Sequence, residues 1–208
     1  KCRVVSASGT AISYGTEVTI NSSSVNPSDG TASDTNIAMT YDTTSSQVVV
    51  FYTVSSSLYV KVGTVTGTDI SFGTGLQLTS GGATNPTPGS ASYVPSKDVH
   101  LCAFEWSNDG YAIVVKTSGT GADATVVNAA GSSPANSAVI FDSQDSLKSN
   151  VFTAYESTPV IVYSDDSVDI NSIAVSIDGT TPTMGTDRAI ETTTAHSTIA
   201  GAYDPDTK

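Results

Sequence analysis

The amino-acid sequence predicts an all-β protein in which antiparallel four-stranded units are arranged as a β-propeller or part of one. Three observations predict this: the composition favours strands and turns, a motif recurs along the chain, and hairpin-length turns separate alternating runs. Four-stranded units repeated in series are typical of propeller blades, each of which covers an apolar face of its neighbour.

The composition argues for strands rather than helices. Ser, Thr, Gly, Asp and Val are abundant, whereas the good helix formers Leu, Glu, Lys, Arg and Met are scarce. Alternating runs contain most of the nine Tyr, five Phe and one Trp, which argues against a disordered chain of similar polarity. A chain of 208 residues, 38% of them hydrophobic, can bury roughly 70% of its unfolded surface.

The charge balance bears on the partners of the protein. There are 8 Lys and Arg against 20 Asp and Glu, so the formal net charge at pH 7 is -12. Broad nucleic-acid binding needs cations that neutralise phosphates, and we therefore expect no nucleic-acid partner. No apolar run approaches the roughly 18 residues of a membrane helix, and no signal peptide is recognisable, so we expect no membrane insertion.

One recurring motif predicts the repeat. Residues 9–16, Gly-Thr-Ala-Ile-Ser-Tyr-Gly-Thr, are matched by residues 67–74, Gly-Thr-Asp-Ile-Ser-Phe-Gly-Thr, and more weakly by residues 179–186. A copy expected between the last two is degraded, with candidate pieces at 123–127 and 138–142. The copies indicate a period of roughly 50–60 residues, which lies in the range of propellers and arrays.

A second motif marks the first strand of each unit. Residues 37–42, Ile-Ala-Met-Thr-Tyr-Asp, resemble residues 199–204 and, more weakly, residues 151–156. In the remaining unit we expect this anchor at Lys97-Asp98.

Each unit is predicted to contain four short strands joined by hairpin-length turns. The clearest unit has predicted strands at 36–41, 47–53, 58–66 and 70–79. Later units have predicted strands at 99–106 and 111–117, and at 151–155, 160–163, 172–177 and 184–192.

These patterns predict a single repeat-built β domain over residues 1–208. Its units span about 1–33 (partial), 34–89, 90–145, 146–196 and 197–208 (partial). Because residues 1–6 align with a third strand and residues 203–208 with a first strand and its turn, we expect a fragment of a longer chain. The alternative is a propeller whose ring is closed by strands from both termini.

The clearest unit resembles repeats in large tail-fibre and structural proteins of marine bacteriophages and in other large extracellular proteins. The residues that carry the resemblance are Tyr41-Asp42, the run Val48-Val49-Val50-Phe51-Tyr52, Gly63-Thr64-Val65 and the motif at 67–74. The resemblance covers one unit well and the others loosely. It implies a propeller-like scaffold displayed on a virion or cell surface, and it implies no catalytic residues.

The candidate metal site in the sequence consists of Asp165, Asp166 and Asp169. They follow a predicted strand and offer the hard oxygen ligands that Ca²⁺ takes, so calcium is the one cofactor that the sequence suggests. The twelve-residue calcium loop is not matched, since it needs Gly at its sixth position and Glu at its twelfth. The alternative is turn formation, in which Asp accepts a hydrogen bond from a backbone N–H two residues on.

Trp106 is the candidate ligand-binding residue. It stands alone before a turn, where its ring could stack on a sugar; the alternative is packing in the core. His100 lies in an apolar run and is predicted to be structural. Cys2 and Cys102 are predicted to be separate thiols; the alternative is a disulfide, which their distance in sequence allows but does not imply. No Gly-x-Ser-x-Gly nucleophile motif is present, and nothing marks out a pair of carboxylates for glycoside hydrolysis.

The sequence therefore predicts a non-enzymatic structural or adhesive β-repeat domain of a virion fibre or extracellular surface protein. Its expected partners are other copies or subunits of such an assembly, and surface glycans. One alternative is a carbohydrate-active propeller enzyme, and another is a subunit of an extracellular filament.

Overall fold

The computed structural model describes residues 1–22, 37–54, 57–79, 86–107, 109–127, 138–143, 148–154, 158–164 and 169–193. In these ranges the protein is all-β with antiparallel sheets, and its only helical segment is the short 3-10 turn Gly121–Asp123. The all-β prediction is confirmed, whereas a closed propeller stays a prediction. Within the same ranges no helix is long and apolar enough to span a membrane.

The strands form one hairpin and three sheets. The hairpin contains β1 (Val5–Ser8) and β2 (Ala11–Tyr14). The first sheet contains β3 (Ile37–Asp42), β4 (Gln47–Val54), β5 (Ser57–Thr66), β6 (Asp69–Phe72) and β7 (Leu76–Gln77). The second sheet contains β8 (Thr87–Val94), β9 (Val99–Trp106), β10 (Asp109–Ser118), β11 (Thr125–Val127) and β12 (Val139–Asp142). The third sheet contains β13 (Lys148–Ala154), β14 (Thr158–Ser164), β15 (Ile170–Asp178), β16 (Thr181–Met184) and β17 (Arg188–Glu191).

All three sheets have the same plan. Three long strands form a meander, and the fourth position is shared by two short strands that both pair with the third strand. In the first sheet, β6 and β7 divide the stretch 70–79 that the sequence predicts as one strand. The split follows from Gly73, whose N–H donates to the carbonyl of Val62 and turns the chain between the two short strands.

The copies of the motif occupy equivalent places in the sheets. The hairpin corresponds to the third and fourth strands of a sheet, in the same register. Equivalent pairs near the turn are Val5–Tyr14, Gly63–Phe72 and Val175–Met184, and those farther along are Cys2–Val18, Val60–Leu76 and Ser172–Arg188. The repetition read from the sequence is therefore a repetition of backbone structure.

The first-strand anchor of the second sheet lies elsewhere than predicted. Tyr93, paired with His100, takes the place that Tyr41, paired with Val48, has in the first sheet. Lys97 and Asp98, where the sequence predicts the anchor, lie in the turn after β8. The prediction is wrong because β8 has few large apolar residues and contains a register shift near Ser90, so its alternation is weak.

The units stack in chain order, so that the first and second sheets are covered on both faces. The core between these two sheets contains Val49, Phe51, Leu58, Val60 and Val62 from the first and Cys102, Phe104, Ile113 and Val115 from the second. The core between the second and third sheets contains Leu101, Ala103, Ala112 and Val114 against Ile161, Tyr163, Ile173, Val175 and Ile177. On the other face of the first sheet, Ile20, Val50 and Tyr52 pack with Cys2, Tyr59 and Phe72. Two covered faces explain the unbroken apolar run in β4.

Candidate ligand-binding site

Three aromatic rings lead from the core of the second sheet to its surface. Phe104 is fully buried on β9, and Tyr111, which pairs with it on β10, stacks on its ring with centroids 5.6 Å apart. Trp106 lies two residues farther along β9, and its ring contacts that of Tyr111 at 5.4 Å and an interplanar angle of 55°. Because side chains two residues apart in a strand lie on one face, the sequence of β9 and β10 suffices to build this group.

Core packing, one of the two roles that the sequence leaves open for Trp106, is seen in part. The Trp106 ring is half-buried and packs against the core between the first two sheets, so part of it has a structural role. Its Nε1 atom is buried and has no hydrogen-bond partner among the described residues. A buried donor of this kind is costly when unpaired.

The Tyr111 hydroxyl extends the polar side of this group. Burial raises its pKa, and the Asp109 carboxylate, which accepts its hydrogen bond, raises that pKa further. The phenol is therefore neutral at pH 7. Ring faces beside a carboxylate have the chemistry to contact a sugar, which has apolar C–H faces and hydroxyls at its edge.

A second polar group, which the sequence analysis missed, lies where the turns of the first two sheets meet. Asp42 at the end of β3 accepts hydrogen bonds from Ser45 and from the backbone N–H of Thr44. On the neighbouring sheet, the Tyr93 hydroxyl donates to Asp98 at 3.2 Å, and the Tyr93 ring packs on His100 with centroids 5.0 Å apart. The sequence pattern that could have predicted this group is a Tyr at the end of the first strand followed by a turn. The weak alternation of β8 made the second copy of that pattern, at Tyr93, unrecognisable.

Burial and hydrogen bonds shift the pKa values of His100 and Asp42 in this group. Burial lowers the pKa of His100 to about 4, although the Asp42 and Asp98 carboxylates act in the opposite direction. Burial also favours a raised pKa for Asp42, but the hydrogen bonds from Ser45 and Thr44 together outweigh it and the pKa is lowered. Burial therefore keeps the His100 imidazole neutral at pH 7, close to the place where the turns of the first two sheets meet.

The remaining predicted sites have different outcomes. Asp165 and Asp166 lie outside the described residues, and Asp169 directly precedes β15, so the calcium site stays a prediction. Over the described ranges no group of three or more His, Cys, Asp or Glu side chains could hold a metal ion. Cys2 and Cys102 are separate thiols, as predicted, and they lie on opposite faces of the first sheet.

Comparison of the chain with protein-family models, with curated proteins and with solved structures finds no match.

Proposed function

We propose that the chain is a non-enzymatic structural and adhesive β-repeat domain of a virion fibre or another extracellular surface protein. The observation that carries this proposal is the repeated contact between consecutive units. Gly15 and Gly73, at equivalent positions of the motif, each lie against the backbone of the next unit, and the faces between units are buried. A stack of units in which the repeated motif forms the contacts between units is suited to a rigid scaffold that displays a binding surface. The resemblance of the motif to bacteriophage fibre repeats supports the same role.

The adhesive part of the proposal concerns a glycan at Trp106. The half-exposed ring would stack on one face of a sugar. Tyr111 and Asp109 stand beside it to accept or donate hydrogen bonds. One aromatic platform with a few polar atoms is typical of weak, surface-exposed recognition, which becomes strong when many copies act together.

A glycan array tests the adhesive role. The wild-type chain, presented in multivalent form, is expected to retain a subset of glycans, and Trp106→Ala is expected to lose at least about tenfold in apparent affinity, or roughly 1.4 kcal/mol. Tyr41→Ala is the matched control, because Tyr41 is an exposed aromatic on β3 of the neighbouring sheet and should leave binding unchanged. Equal binding by wild type and Trp106→Ala would contradict the assignment of the site.

An assay for released reducing ends tests the non-enzymatic role. Any glycan that binds is incubated with the chain at pH 5 and pH 7, and we expect no product above that from a heat-denatured sample. Turnover would overturn the scaffold proposal in favour of a carbohydrate-active protein, whatever the array shows.

A further inference from the structure

The second glycine of the motif forms a notch that receives the next unit. Gly15 and Gly73 follow the first half of the fourth strand, and their N–H groups donate to Val4 and Val62 of the adjacent strand, each at 2.9–3.0 Å. A Cβ atom on Gly15 would lie 1.8 Å from the carbonyl oxygen of Thr68, and one on Gly73 would lie 1.7 Å from that of Ala124. In both cases the intruding carbonyl belongs to the residue just before the fourth strand of the next unit.

The third sheet carries the same notch, but nothing in the described part of the chain fills it. Gly185 is the equivalent glycine, and its N–H donates to Ala174 at 2.9 Å, as Gly73 does to Val62. The residue is exposed, and the nearest atoms that a Cβ there would meet belong to Ala174 of its own sheet, at 3.0 Å. At Gly15 and Gly73 the notch receives the residue just before the fourth strand of the next unit. We therefore expect the Gly185 notch to receive the corresponding residue of another unit.

The hairpin supplies a residue of that kind. Thr10 directly precedes β2, as Thr68 precedes β6. Beside it, Val5, Ile12 and Tyr14 are exposed by 56%, 61% and 64% on the face turned away from the first sheet. Their equivalents Gly63, Ile70 and Phe72 form the face on which the first sheet receives the hairpin.

The outer face of the third sheet is built like the face that already contacts the first sheet. On β15, the alternate residues Ser172, Ala174 and Ser176 point away from the second sheet. Their equivalents in the hairpin strand are Cys2, Val4 and Ser6, and Cys2 packs on the first sheet beside Tyr59 and Phe72. In the contact within the chain, the small side chains of the hairpin lie against larger apolar side chains of the first sheet. In the contact between copies, the small side chains of β15 would lie against Val5, Ile12 and Tyr14 of the hairpin.

We infer that two copies of this chain associate head to tail, with the hairpin of one copy covering the outer face of the third sheet of another and Thr10 entering the Gly185 notch. The inference rests on the proposed scaffold function and names its partner. The contact joins two different surfaces, so it leaves one of each free on the pair and would extend into a fibre. We identify a second copy as the partner because its hairpin would make the same kind of contact that consecutive units make within one chain.

Cysteine cross-linking tests the contact directly. The variant Thr10→Cys with Thr186→Cys is made with Cys2→Ser. Thr186 is exposed beside Gly185, so the notch keeps its glycine, and Cys102 is retained because it is fully buried. After oxidation of the full chain, non-reducing electrophoresis is expected to show a ladder of dimers, trimers and larger species that collapses on reduction. The control pair Thr10→Cys with Thr43→Cys, the latter in the exposed turn after β3, should remain monomeric.

Two results would overturn the inference. A disulfide formed only within single chains would assign the notch to the hairpin of the same chain, closing a ring. An absence of cross-linking at millimolar chain concentration would leave the notch without a partner copy. In either case the glycan and turnover assays still test the scaffold proposal on their own.

Sedimentation of the uncross-linked chain gives a second, independent measurement. The average mass of wild type should rise with concentration, and Ile12→Asp should shift that rise to at least about tenfold higher concentration. Met39→Asp is the control, since Met39 is as exposed as Ile12 but lies on β3. If both variants behave like wild type while circular dichroism shows them folded, the head-to-tail contact is wrong.

Discussion

His100 is the residue whose environment departs most from what its type prefers. It points toward the first sheet, on the same face of β9 as Cys102 and Phe104, and its side chain is fully buried. The Nδ1 atom has no hydrogen-bond partner in the described part of the chain, so a protonated ring would place an uncompensated charge in the core. The imidazole is therefore kept neutral by burial, which outweighs the nearby Asp42 and Asp98.

The folded chain should lose stability as the pH falls from about 6.5 to about 4. The pKa of His100 is about 6.5 when unfolded and about 4 when folded, so in this window the unfolded state binds a proton that the folded state does not. The full loss is about 3 kcal/mol in the free energy of unfolding. Asp42 acts at lower pH, because a lowered pKa removes stability only below its ordinary value.

Urea unfolding at a series of pH values between 4 and 7 measures this loss. His100→Leu, which cannot titrate, is the control and should have a flatter profile over the same window, whatever its stability at pH 7. Parallel profiles for the two chains would contradict the assignment of the proton uptake to His100.

The two glycines of the motif have different roles in the hairpin and the short strands that it forms. Its first glycine, at positions 9, 67 and 179, has a positive φ of 58–60°, which closes a tight turn between the third and fourth strands. Its second glycine, at 15, 73 and 185, bends the fourth strand and forms the notch. The same element thus encodes both the hairpin and its contact with the next unit.

Substitution of the two motif glycines in the first sheet, Gly67 and Gly73, should have unequal costs. Gly67→Ala places a side chain at positive φ in open space and should cost roughly 1 kcal/mol of folding free energy. Gly73→Ala drives a Cβ into the backbone carbonyl of Ala124, which cannot move without separating two sheets, and should cost roughly 3 kcal/mol. Thermal and urea unfolding of the two variants measure the difference. Equal costs would show that the notch yields easily.

The described units are held together by apolar faces, and the chain as a whole is strongly acidic. The 8 basic residues offset fewer than half of the 20 acidic ones, which leaves a net charge of -12, and the three ion pairs of the described residues involve exposed side chains. Such pairs contribute little, whereas a large net charge opposes the compact state and contact between copies.

Salt should therefore stabilise this protein. Raising NaCl from about 0.02 M to about 0.5 M shortens the screening length from roughly 20 Å to a few ångströms and weakens the self-repulsion. We expect the midpoint of thermal unfolding to rise by a few degrees and self-association to increase. Circular dichroism melts at both salt concentrations measure the first effect. A midpoint that falls with added salt would show that attractive ion pairs outweigh the repulsion.

The sequence by itself determined the class of the fold and the existence of repeats. Scarce helix formers, the Val-rich run of β4 and the two clear copies of the motif report local preferences, which depend on residues close together in the chain. The alignment of residues 1–6 with 59–64 was also correct, because a hairpin and its turn are encoded locally.

Only the tertiary structure decided how the units contact one another. The notch at Gly73 and the position of His100 beside Asp42 both depend on a neighbouring sheet that is about 50 residues away in sequence. The same holds for Trp106, since its sequence neighbours do not reveal that Nε1 is buried while the ring is half-exposed. Alternation within a strand shows which side chains share a face, but the identity of what covers that face is settled by packing over long distances in the chain.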